Sequence, residues 1–149
     1  MIEMGKLDQN RMVVLSLKPR FAEAILAGAK TVEFRRTTPK IEVPTRALLY
    51  ATTPVRALLG TCIVTEVRSA SLPLLWREHG SQGMLGYSEF QRYFEGLAAG
   101  TALTLTQPQS LSCKIPLQDL RAKPRGFQPP QSFAYVDTDT GNLLMRMAA

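Results

Sequence analysis

The chain has 149 residues, which is enough for one domain with a hydrophobic core of its own. Hydrophobic residues make up 45% of it and charged residues 20%, as in an ordinary soluble globular protein. Lys and Arg outnumber Asp and Glu by 18 to 12, for a net charge of +6. This excess favours a polyanionic partner, such as nucleic acid or a nucleotide, over a neutral or cationic one.

The composition also excludes several classes of site. Cys62 and Cys113 lie far apart and His79 is the single histidine, so no zinc motif is present. No run approaches the roughly 18 apolar residues of a membrane span, and residues 1–6 lack the apolar core of a signal peptide. We therefore expect a cytoplasmic protein with no metal, no cofactor and no membrane contact.

The first predicted elements are a strand, a helix and a second strand. Residues 1–11 are expected to form a flexible N-terminus, and the apolar alternation that begins at Met12 predicts the first strand. The spacing of apolar residues predicts a helix from Pro19 to Ala27 that ends at Gly28. A strand follows from Thr31, and its period of two places Glu33 and Arg35 side by side on one face.

The remaining pattern predicts strands at residues 46–51 and 57–66, helices at 72–79 and 88–97, and strands at 101–106 and 133–136. Ser88 and Gln91 have capping-box spacing, and Gly60 is expected to mark a bulge or a close backbone approach. Pro108 and Pro116 are expected to restrict the chain between them to edge strands or loops. Residues 123–126 form a basic loop, and residues 137–149 are expected to be a C-terminal tail. Because no βαβ rhythm is present, we predict an α+β fold on a small mixed or antiparallel β-barrel with flanking helices.

One stretch of the sequence resembles a known family. Gly28, Lys30, Glu33 and Arg35 match the GxKxxExR motif of the ASCH domain, a branch of the PUA-like superfamily. The segments 15–19, 49–54 and 129–133 are similar to other parts of the same pattern, so the resemblance covers residues 12–136. It implies a PUA-like barrel with a cleft over the motif strand. Members of the PUA-like group bind RNA or modified bases. Some small ASCH proteins resemble amidohydrolases that remove an acyl group from a modified cytidine, and others have been described as ribonucleases.

The charged residues of the motif are the main site candidates. A cleft lined by Lys30, Arg35 and Arg36 suits phosphate or a carbonyl oxygen, because Arg offers a planar fork and Lys a compact charge. Glu33 would orient Arg35 or accept hydrogen bonds from a base edge. The alternative is that Glu33 and Arg35 form an exposed pair worth at most about 1 kcal/mol.

Two further residues are candidates for ligand binding. Tyr50 would stack on a base or belong to the core with its hydroxyl at the edge. Ser132 would hydrogen-bond a ligand or fix the last strand.

For catalysis, Lys30 with Glu33 would be the acid–base pair, provided that the pKa of Lys30 is lowered. In the amidohydrolase-like members, a threonine stands three positions after the lysine, where this chain has Glu33. This departure weakens a hydroxyl-nucleophile mechanism. A further acid is expected from Glu78 or Glu89, and the sequence does not choose between them.

The leading hypothesis is an ASCH domain that binds RNA or a modified nucleoside over the Lys30–Arg36 strand and has a regulatory role in RNA metabolism. The alternative is a hydrolase that acts on acylated cytidine nucleosides or single-stranded RNA.

Overall fold

The computed structural model describes residues 11–122 and 127–147. The predicted N-terminus up to residue 10 and the basic loop 123–126 lie outside the described residues. The elements in chain order are β1 (Met12–Leu17), α1 (Pro19–Leu26), β2 (Val32–Arg35), β3 (Thr45–Ala51), β4 (Ala57–Ser71), α2 (Leu72–His79), a short 3-10 helix (Gly80–Gln82), α3 (Tyr87–Tyr93), β5 (Ala99–Pro116), α4 (Leu117–Arg121), β6 (Phe133–Val136) and α5 (Thr138–Met147).

The strands form one mixed six-stranded sheet in the order β2-β5-β4-β3-β1-β6. The β1 and β3 strands run parallel, and the other neighbours are antiparallel. The predicted α+β class is therefore confirmed. Within the described residues, no strand pairing joins β2 to β6, so the sheet is not closed and the predicted barrel is not confirmed.

The β4 and β5 strands are much longer than predicted. The β5 strand continues through Pro108 to Pro116. Beyond Pro108 it pairs with β4 alone, so this part of β5 is an edge strand, as the two prolines predict. The register shifts between Thr61 and Ile63, which pair with Gln109 and Thr106, so Pro108 lies in a bulge where the ladder requires no N–H from it. Gly60 also lies at a register shift, as predicted.

Two helices differ from the sequence pattern. The α3 helix begins at Tyr87 after Gly86 and has no side-chain cap, so the capping box predicted at Ser88 and Gln91 does not form. Residues 138–147, where the sequence is weakly patterned, form α5. In the part of the chain that is described, no helix is both long and apolar enough to cross a bilayer.

The sheet is covered on both faces. Val13, Leu15 and Leu49 belong to a core cluster that packs against α1. Their neighbours in the alternation, such as Val14, belong to a second cluster that includes residues of α4 and α5. A third cluster joins β2 to α2 and α3 through Val32, Phe34, Leu75, Phe90 and Phe94. This third cluster fixes α3 beside the motif strand.

Candidate functional site

The end of α1 positions Lys30 at the start of the site. Gly28 has φ +80°, a conformation that favours glycine, and the backbone N–H groups of Ala29 and Lys30 both donate to the carbonyl oxygen of Ala24. This turn directs the side chain of Lys30 into the protein, where only 2% of the residue is exposed. Its Nζ donates to the carbonyl oxygen of Gly83 and lies 4.4 Å from the centre of the Phe21 ring.

Glu33 lies between two buried cations. Its Oε1 is 3.4 Å from Lys30 Nζ, and its Oε2 accepts a hydrogen bond of 3.2 Å from Arg35 Nη2. Glu33 and Arg35 are 6% and 9% exposed. The alternative interpretation of an exposed pair is therefore wrong, because the shared face of β2 points into the protein.

Arg35 connects the two ends of the sheet. Its Nη1 donates to Ser132 Oγ over 3.0 Å, and its Nη2 donates to the carbonyl oxygen of Ser16 over 3.0 Å. Ser16 lies on β1 and Ser132 directly precedes β6, while Arg35 lies on β2 at the opposite edge of the sheet. The sheet is therefore curved enough for one side chain to span its open side. The Nε of Arg35 is buried without a hydrogen-bond partner among the described residues.

These side chains form the floor of a cavity of about 410 Å³, called here the Lys30 cavity. Its walls include the aromatic rings of Phe21, Phe34 and Tyr93. Among the described residues, the lining is Ser16, Leu17, Lys18, Phe21, Lys30, Glu33, Phe34, Arg35, Leu85, Glu89, Arg92 and Tyr93. Four of these side chains are cationic and two are acidic, so the cavity favours an anionic or electron-rich guest.

Burial is the largest influence on the pKa of Lys30. It lowers this pKa below its usual value, the Glu33 carboxylate opposes the shift, and the nearby charges of Arg35 and Arg20 reinforce it. Burial also raises the pKa of the Tyr93 phenol, whose hydroxyl donates to the carbonyl oxygen of Phe34 over 3.1 Å. The described residues contain no group of three or more His, Cys, Asp or Glu side chains arranged to hold a metal ion.

Three predicted site residues, Arg36, Tyr50 and Ser132, do not line this cavity. Arg36 is exposed, and its Nη1 donates to the carbonyl oxygens of Tyr93 and Glu95. Tyr50 is 4% exposed within the core cluster that packs on α4 and α5. Burial raises the pKa of its phenol.

The other candidates divide between the cavity and the surface. Ser132 is half-buried and does not line the cavity, but it accepts a hydrogen bond from Arg35, which does. Glu89 lines the cavity and pairs with Arg20 of α1. Glu78 instead pairs with Arg68 on the surface. Of the two acids that the sequence could not distinguish, only Glu89 reaches the cavity.

Sequence reasoning missed Lys18, Phe21, Arg92 and Tyr93 as cavity residues. Lys18 directly precedes α1, and Arg92 and Tyr93 lie at the end of α3. Charged residues at helix ends are usually solvated, so their sequence pattern alone gave no reason to select them. For Arg92 and Tyr93, the one signal that could have selected them is the packing of α3 on Phe34, which places the end of this helix next to the motif strand.

The family model of the ASCH domain matches residues 15–108. This chain belongs to the ASCH domain family. Among curated proteins, it is similar to the ASCH domain-containing ribonuclease of Zymomonas mobilis subsp. mobilis, with 32% identity over 146 residues that cover 98% of each protein.

Solved structures agree with this assignment. The crystal structure of ASCH from Zymomonas mobilis has a TM-score of 0.88 and 33% identity, and the match covers 95% of this chain and 98% of that one. A protein from Agrobacterium tumefaciens has a TM-score of 0.61 at 12% identity over 93% of each chain. The second similarity concerns the fold alone.

Proposed function

We propose that this chain binds RNA, or a modified nucleoside, by taking one nucleoside unit into the Lys30 cavity. The observation that carries the proposal is the buried group of Lys30, Glu33 and Arg35 on the cavity floor. Replacing buried ion pairs with apolar residues is often neutral or stabilising, so stability alone gives little reason to keep three charges here. Recognition of a polar guest does give such a reason.

The size and lining of the cavity suit a nucleoside. Its volume of about 410 Å³ lies within the range of roughly 300–1,000 Å³ that is typical of small-molecule sites. Aromatic walls suit the flat faces of a base. On the floor, Glu33 supplies an acceptor for an exocyclic amino group, and Lys30 supplies a donor for a carbonyl oxygen.

Two observations favour RNA as the source of that nucleoside. The net charge of +6 suits a polyanion, and the Zymomonas relative is named as a ribonuclease. In this proposal Ser132 orients Arg35, and Arg36 contacts the RNA backbone outside the cavity. Base stacking by Tyr50 stays a prediction. Its ring is buried in the second core cluster and does not line the Lys30 cavity.

Fluorescence anisotropy with a short single-stranded RNA tests the proposal. Affinity should fall by more than tenfold between about 50 and 200 mM salt, because phosphate contacts release counterions. Lys30→Met, with a side chain of similar length and no charge, should weaken binding at least tenfold at low salt. Lys114→Ala on the exposed part of β5 is the control and should change affinity less than twofold. Absence of binding at low salt overturns the RNA version of the proposal, provided that thermal melts show folded protein.

A second candidate function is hydrolysis, which the name of the Zymomonas relative favours. Lys30, with its lowered pKa, would act as the base, and Glu33 lies 3.4 Å away as its proton partner. In RNA cleavage, the base takes the proton of a 2′-hydroxyl, the 2′-oxygen bonds to the adjacent phosphorus, and the 5′-oxygen of the next nucleotide leaves with a proton. In deacylation of an acylated cytidine, water adds to the amide carbonyl and the exocyclic amine leaves with a proton.

Chromatography of products from single-stranded RNA and from acylated cytidine separates the two functions. Hydrolysis predicts turnover that Lys30→Met abolishes while the Lys114→Ala control retains it. Turnover that survives Lys30→Met rejects this mechanism. Binding without turnover leaves the first proposal as the function.

A further inference from the structure

The opening of the Lys30 cavity carries a second set of charges, separate from the floor. We call Lys18, Glu89 and Arg92 the rim, because these side chains line the cavity and are partly or fully exposed. Lys18 lies between β1 and α1, whereas Glu89 and Arg92 lie on α3. Arg20 on α1, which does not itself line the cavity, donates to Oε2 of Glu89. An ion pair therefore joins α1 to α3 beside the rim.

The cations of the rim are not neutralised by the protein. Glu89 is the one acid of the rim, and it is already paired with Arg20. Within the described ranges, the side chains of Lys18 and Arg92 have no hydrogen-bond or ion-pair partner. Two free cations beside an aromatic-walled cavity are suited to an anion that arrives with the guest.

We infer that the rim and the neighbouring Arg20 form a phosphate subsite, in which Lys18, Arg92 and Arg20 bind the phosphate of the nucleotide whose base occupies the floor. The inference rests on the proposed function, and it specifies that the ligand is a nucleotide and not a free nucleoside. It also moves the phosphate from Lys30 and Arg35, where the sequence pattern suggested it, to residues that the pattern did not select.

The floor is a poor place for a phosphate. The Glu33 carboxylate lies between Lys30 and Arg35 and would repel a second anion at hydrogen-bond distance. The two terminal nitrogens of Arg35 also already donate to Glu33, Ser16 and Ser132. The rim has the opposite arrangement, because its acid is paired with Arg20 and its two cations are free.

Glu89 then has a defined effect on affinity. A bound phosphate competes with the Glu89 carboxylate for the guanidinium of Arg20, since both are anions that bind Arg through the same donors. Removing the negative charge of Glu89 should therefore strengthen phosphate binding. A gain of affinity is useful as a test because misfolding does not produce one.

Isothermal titration with the four common ribonucleosides and their 5′- and 3′-monophosphates tests this inference at about 50 mM salt. We expect at least one monophosphate to bind at least tenfold more tightly than its nucleoside, and the preferred isomer identifies the position of the phosphate. Lys18→Ala and Arg92→Ala should each weaken the monophosphate about fivefold and leave the nucleoside unchanged. Glu89→Gln should strengthen the monophosphate about fivefold. Arg77→Ala, an exposed arginine on α2, is the control for Arg92 and should have no effect.

The possible failures are distinguishable. Equal binding of nucleosides and monophosphates, or rim variants that change both equally, overturns the phosphate subsite and leaves the proposed function intact. If nucleosides, monophosphates and single-stranded RNA all fail to bind the folded protein, the RNA version of the proposed function is overturned together with the subsite.

Discussion

Replacement of Glu33 by glutamine should be among the most destabilising changes of a single charge in this protein. The change keeps the shape of the side chain and removes the one negative charge between Lys30 and Arg35. Both cations then remain buried without a counterion and repel each other.

The structure gives the size of this effect. The two ion pairs of Glu33 measure 3.4 and 3.2 Å, and each corresponds to about 5 kcal/mol of gross Coulomb attraction at an effective dielectric constant of about 20. Part of this attraction is offset because the glutamine no longer has a buried charge to desolvate. The net loss for breaking a buried pair is about 3–5 kcal/mol, which in a chain of this size lowers Tm by roughly 10 °C.

Thermal unfolding followed by circular dichroism at pH 7 measures this loss. Glu78→Gln is the matched control, because it makes the same chemical change in the surface pair with Arg68 and should cost at most about 1 kcal/mol. Adding Lys30→Met to Glu33→Gln should restore part of the stability, since it removes one unpaired buried cation. If Glu33→Gln costs no more than Glu78→Gln, or if the double variant is less stable than Glu33→Gln alone, the account of the floor as a buried charge cluster is wrong.

Three further outcomes follow from the described contacts. The folded-state pKa of Lys30 lies below the 10.5 of an unfolded chain, so the unfolded state binds more protons between these two pKa values. The stability of the wild type relative to Lys30→Met should therefore rise with pH through that interval. Denaturant melts of both proteins at increasing pH measure this difference in stability, and a difference that stays constant contradicts the prediction. Burial raises the pKa of the Cys62 thiol to about 12, so a disulfide reagent should modify the exposed Cys113 at once and Cys62 only on unfolding. Equal rates of modification of the two thiols in the native protein would contradict this prediction. A Cβ on Gly60 of β4 would lie 2.6 Å from a backbone oxygen of β5. Gly60→Ala should therefore lower the free energy of unfolding by about 2 kcal/mol in denaturant melts. An unchanged midpoint would show that β4 and β5 can separate locally.

The local pattern predicted the elements that frame the site. The helix at Pro19 and its end at Gly28 follow from apolar spacing and one glycine, and the alternation in β2 correctly placed Glu33 and Arg35 on the same face. It did not predict that this face is buried. The hydrogen-bond partners of Arg35, Ser16 and Ser132, are brought close to it by the curvature of the whole sheet. A local sequence pattern contains no information about this curvature.

Longer-range features account for the other differences. The length of β5 was missed because Pro108 normally ends a ladder, and only the bulge opposite β4 makes it compatible with pairing. Lys18 and Arg92 were missed because one precedes α1 and the other lies on α3, and only tertiary packing brings both to the same cavity. The resemblance to the family located the motif, but it did not distinguish Glu89 from Glu78, since that choice depends on the orientation of two helices.

A guanidinium, not a ladder of amide hydrogen bonds, spans the open side of the sheet between β2 and β1. Among the described residues, no backbone ladder between these two strands has to break when they separate. We therefore expect local opening at this seam to cost less than global unfolding, so that the entrance of the cavity would widen for a larger guest.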